Sequence, residues 1–133
     1  MNFLDSLSAP SKAVLRIVTG LLFLAVGIAK IFHFPAVPMF ANIQPTDWPL
    51  GAAGMIELIG GTLVMLGLFS RFAAFICSGE MAYAYFSAHW AITTAAPHSP
   101  YPVVNGGEGA ILFCFIFLYF ACSGPGIWAV NQK

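Results

Sequence analysis

Glu57, Glu80, Glu108 and His89 are the side chains of this sequence best suited to moving a proton, and each lies inside or at the edge of a long apolar run. Glu57 is the plainest case, two residues into MIELIGGTLVMLGLFSR (55–71). Arg16, Lys30, Arg71 and Asn105 fall in similar surroundings and supply hydrogen-bond donors. A charged group at the centre of a bilayer costs about 2.5 to 3.5 kcal/mol even on insertion scales. An acid there must be neutral or paired, and either state suits proton handling.

The runs that carry these residues dominate the chain. Of 133 residues, 59% are hydrophobic and 8% charged, and the mean hydropathy is +0.86. A soluble domain carries about 25% charged residues, so the composition predicts a membrane protein. Five Lys and Arg balance five Asp and Glu, which leaves no basic surplus for nucleic acid.

A membrane span needs roughly 20 mostly apolar residues, and four segments qualify: 12–32, 51–69, 72–90 and 108–123. They predict an all-α fold, a four-transmembrane-helix antiparallel bundle forming one integral membrane domain. Prolines break the chain at 33–49 and again at 91–107, where Gly106-Gly107 adds a second breaker. Helices two and three, joined only by Ser70-Arg71, should form a hairpin. The first helix has the basic start of a secretory signal but lacks a small-residue cleavage site and ends in Lys30-Ile31-Phe32-His33. Lys12, Arg16, Arg71 and Lys133 share one side and Lys30 the other, which places both termini in the cytoplasm of a multi-pass inner-membrane protein.

Helical spacing sorts the polar residues onto faces. Arg16, Gly20, Phe23, Gly27 and Lys30 form one stripe, with Arg16 and Lys30 about 21 Å apart by helical rise. Glu57, Gly61, Val64, Leu68 and Arg71 form another, so Lys30 and Glu57 are expected partners in the outer half of the membrane. Gly20, Gly27, Gly60 and Gly61 are expected to pack helices closely and are compatible with a homodimer. Glu80 falls near the midplane; His89, Asn105 and Glu108 join the outer polar group, Glu108 also suiting a helix N-terminus. Trp48, Trp90 and Tyr101 suit an interfacial aromatic belt.

Other chemistries find little support. Carboxylate-bridged di-iron bundles use Glu-x-x-His on one helical face, whereas Glu80 and His89 are nine residues apart, about 180° around an ideal helix. No metal ligand is assigned. Cys77, Cys114 and Cys122 are scattered in apolar helix without a Cys-x-x-Cys pair. There is no Ser/His/Asp set, phosphate loop or dinucleotide fingerprint.

RIVTGLLFLAVGIAK (16–30), the E-x-x-G-G-x5-G-x3-R core of 57–71, Glu80-Met81 with His89, and NGGEGAILFCFIFLYFACSGPGIW (105–128) together resemble the DoxX family of small bacterial membrane proteins. The resemblance covers nearly the whole chain. It departs where the family continues Ser-x-Asp after Gly-Pro-Gly-x-Trp and this chain reads Ala129-Val130-Asn131. It implies a four-helix bundle linked to redox metabolism, with relatives among the membrane subunits of a thiosulfate:quinone oxidoreductase and a mycobacterial member that associates with superoxide dismutase and a sulfurtransferase. The family's polar positions fall on Arg16, Lys30, Glu57, Arg71, Glu80, His89, Asn105 and Glu108.

The expectation that follows is a quinone-linked membrane subunit. Glu57, Glu80 and His89 would relay protons, and Arg16, Lys30, Arg71, Asn105 and Glu108 would line or bind the ligand. The chain encodes no evident electron carrier, so a redox partner protein would bring the electrons. The competing class is non-enzymatic, a carrier for a small or lipid-like molecule or a scaffold for soluble redox enzymes.

Overall fold

The structure, a computed structural model, describes residues 2–89 and 101–131. Trp90, His98, Lys133 and the first ten residues of the 91–107 connection lie outside them. Among the described residues the chain is helical throughout its regular elements: α1 (Asn2–Ser6), α2 (Ser8–Ile31), a 3-10 turn (Pro38–Phe40), α3 (Leu50–Leu66), α4 (Ser70–Ala84), a π-helical continuation of α4 (Tyr85–His89), α5 (Pro102–Asn105) and α6 (Glu108–Ser123).

The long helices occupy the expected places, with ends shifted for local reasons. α2 starts four residues earlier than expected because Pro10 falls in its first turn, where a missing N–H breaks no intrahelical bond. α3 stops at Leu66 because Gly67 adopts the left-handed conformation (φ 73°). Gly67 N–H then donates to Val64 O and Leu68 N–H to Leu63 O, closing a Schellman turn. The hairpin turn is therefore 67–69, and Ser70-Arg71 opens α4 instead of forming the turn. Pro102 similarly starts one helical turn inside the expected second loop.

α2 packs chiefly on α3 and α4 chiefly on α6, and the α3–α4 hairpin joins the two pairs. Glycine sets the first contact. A Cβ on Gly20 would meet the Met65 backbone nitrogen at 2.6 Å, and one on Gly61 would meet that of Leu24 at 2.7 Å. Larger residues would push the helices apart. The centre is filled by Phe23, Val64, Cys77, Phe117 and Phe120, with Phe23 edge-on to Phe117 at 4.7 Å.

The distribution of polarity is inverted relative to a water-soluble protein. Arg16, Lys30, Glu57, Ser70 and Ser78 are buried, whereas Leu21, Ile59, Phe72, Phe75, Leu112 and Phe115 are each more than half exposed. Such an exterior is suited to lipid. Among the described residues α2, at 24 residues, is the one helix long and apolar enough to cross a membrane; α3 and α6 are shorter apolar helices.

Candidate functional site

The site begins where α2 and α3 approach most closely toward their Lys30 and Leu50 ends. Gly27 and Gly54 leave no room for a side chain between the helices. That proximity brings Lys30 Nζ to 2.9 Å from Glu57 Oε2, with the Glu57 side chain fully buried. The expected partnership is thus formed. The ammonium also lies 5.6 Å from the centre of the Phe40 ring, a cation–π contact supplied by the 3-10 turn.

This ion pair borders a cavity of about 610 Å3 whose walls include Phe23, Ile56 and Phe113 and whose rim includes Met39 and Trp48. Glu80 of α4 and His89 line the same cavity. Glu80 thus shares the cavity lining with Glu57 and Lys30. Glu57 Oε1 and both Glu80 carboxyl oxygens are buried and receive no hydrogen bond from a donor. Two acids and one ammonium therefore share a largely apolar chamber, and a single added positive charge would balance them.

The convergence of Glu80 with His89 corrects the expectation that they face opposite ways. Residues Tyr85–His89 form a π-helical turn, whose extra residue underwinds the helix and turns His89 back toward the cavity. His89 Nδ1 lies 3.3 Å from the Asn105 carbonyl oxygen. A carbonyl only accepts, so Nδ1 donates this bond. Asn105 Nδ2 donates to the Tyr85 hydroxyl at 3.2 Å, and Asn105 Oδ1 accepts from the Gly107 N–H at 2.8 Å. Asn105 thus supports the site from behind and does not line it.

Three expected ligand-binding residues sit elsewhere. Arg16 is fully buried and donates to the carbonyls of Pro125 (2.5 Å), Ile127 (2.9 Å) and Trp128 (2.7 Å). It anchors the segment after α6 and reaches no cavity wall. Arg71 donates to Cys122 O at 2.7 Å and Ala121 O at 3.3 Å, satisfying carbonyls that end α6. Glu108 is exposed in the first turn of α6, where its charge complements the helix dipole. Sequence reasoning missed Phe40, Met39 and Trp48, contributed by a proline-rich loop with no periodicity to read. It also missed Arg16's partners, although Gly-Pro-Gly-x-Trp signalled a fixed turn there.

Among the described residues, a helical fold with a charged interior, a lipid-compatible exterior and a largely apolar cavity lined by Lys30, Glu57, Glu80 and His89 is that of a membrane protein. Residues 11–90 match the DoxX family, and the chain belongs to it. It is 44% identical to an uncharacterized protein of Haemophilus influenzae, over 100% of this chain and 97% of that one. An uncharacterized membrane protein of Mycobacterium tuberculosis is 28% identical, over 93% of this chain and 81% of that protein. No solved structure matches it.

Proposed function

We propose that the cavity binds a lipid-soluble quinone and that the chain is the quinone-binding membrane subunit of an oxidoreductase. The observation that carries this reading is the meeting of Lys30, Glu57, Glu80 and His89 in one apolar chamber of about 610 Å3. That volume lies within the ordinary range for small-molecule sites. The residues fit the group: Phe23, Phe40 and Phe113 offer surfaces for a ring, and Lys30 retains N–H donors beyond the one given to Glu57. When bound, a quinone supplies exchange between carbonyl and hydroxyl forms with two electrons and two protons.

The chain's own residues orient and protonate. Lys30 is held by Glu57 and donates toward the ring substituents. A proton held between Glu57 and Glu80 would offset the excess negative charge beside Lys30. His89, on the same cavity lining, is the further group that handles a proton. The apolar walls keep bulk water from this path. Electrons come from a redox partner protein.

In this reading α2, α3, α4 with its π-helical extension, and α6 all cross the inner membrane, with both termini cytoplasmic. α3 and α6 are about 25 Å long by helical rise, so the bilayer thins or flanking residues reach its surface. A scaffold for soluble enzymes draws less support, because Arg71 is engaged by carbonyls of its own chain. A photoreactive azidoquinone added to native membranes tests the site. Labelling should map to peptides of α3, α4 and α6 that border the cavity and be competed by unmodified quinone. Labelling confined to other surfaces would overturn the assignment.

A further inference from the structure

We propose, resting on the quinone reading, that this cavity prefers the reduced, hydroxyl-bearing form of its ligand to the oxidised, carbonyl-bearing form. The argument is a count of hydrogen-bonding groups. Three buried carboxyl oxygens, Glu57 Oε1 and both oxygens of Glu80, receive no hydrogen bond, and all belong to residues that line the cavity. Glu57 is fully buried, so bulk water does not reach its carboxyl. Lys30, the cation of the cavity, already serves Glu57 Oε2.

A proton shared between the carboxyls does not remove the imbalance. If Glu80 donates to Glu57 Oε1, the second oxygen of Glu80 still needs a donor; if no proton is shared, all three oxygens do. A quinone carries only acceptors and can use only the remaining N–H groups of Lys30. A quinol brings two O–H donors and keeps its oxygens available to Lys30. A buried acceptor left without a donor is costly enough to separate the two affinities by roughly tenfold.

The experiment is equilibrium binding to the whole protein in lipid nanodiscs under anaerobic conditions. It uses three probes: a short-chain benzoquinone, its quinol, and the dimethyl ether of that quinol, which keeps the ring but lacks both donors. The expected result is that the quinol binds about tenfold more tightly than the quinone or the ether. Glu80→Gln, which replaces one acceptor with an N–H donor, should narrow or reverse the preference. Equal or tighter binding of the quinone, or an ether as tight as the quinol, would overturn the inference and leave the quinone site standing. Binding of none of the probes would overturn both.

Discussion

Lys30 and Glu57 close a 2.9 Å ion pair between α2 and α3, with the carboxylate fully buried and its other oxygen without a donor. The pair joins two helices and also forms part of the chamber's wall. It links folding of the α2–α3 pair to formation of the site.

Removing one partner leaves the other buried and uncompensated, which destabilises a protein by about 3 to 5 kcal/mol. Lys30→Met should therefore lower the unfolding temperature in detergent markedly. Combining it with Glu57→Leu should recover much of the loss, since an apolar pair of similar size avoids the unpaired charge. A double variant as unstable as the sum of the singles would show that the two residues act independently.

Arg16 makes its three carbonyl bonds with a planar guanidinium that no ammonium reproduces. Arg16→Lys and Arg16→Ala should both free residues 125–131, seen as faster amide hydrogen exchange at Val130 and Asn131. Those two amides now donate to Leu66 and Gly67 carbonyls. Arg71→Ala should have a smaller effect, about 1 kcal/mol, because its bonds lie at the exposed surface. Neither change touches a cavity wall, so quinone retention should survive in protein that remains folded.

The glycines give opposite predictions according to what surrounds them. Gly61→Ala places a methyl group 2.7 Å from the Leu24 backbone nitrogen and 2.9 Å from the Gly20 carbonyl oxygen, and should destabilise by several kcal/mol. Gly79 sits in α4 with nothing within 4 Å of an added Cβ. Gly79→Ala should stabilise by about 0.5 to 1 kcal/mol through helix propensity. Thermal unfolding of the two variants side by side in one detergent checks both signs.

Helical periodicity made the helices and the Lys30–Glu57 pair legible, because faces follow from spacing at 100° per residue. It could not show how those faces are used. Arg16, expected to line or bind the ligand, instead has as partners backbone carbonyls more than a hundred residues away, to which side-chain patterns are blind. Gly20 and Gly61, compatible with dimerisation in the sequence, are engaged within the chain at the α2–α3 contact. His89 was placed away from Glu80 because an ideal helix was assumed, and the π-helical turn at Tyr85–His89 leaves no residue signature comparable to proline or glycine.

The cavity's central claim makes a prediction about His89 that differs from the prediction for Glu108. His89→Ala removes a cavity-lining side chain, while Glu108→Gln changes an exposed residue outside it. Photolabelling by the azidoquinone should fall severalfold in the first and change little in the second. Equal losses would assign the effect to this end of the molecule in general.

The most direct measurement is small-molecule mass spectrometry of the protein extracted gently from its own membrane, with Glu80→Gln and His89→Ala prepared in parallel. The account predicts a quinone retained near stoichiometrically by the wild-type protein and depleted from both variants. Wild-type protein that carries no quinone, or carries it in the same amount as both variants, would contradict the assignment of this cavity.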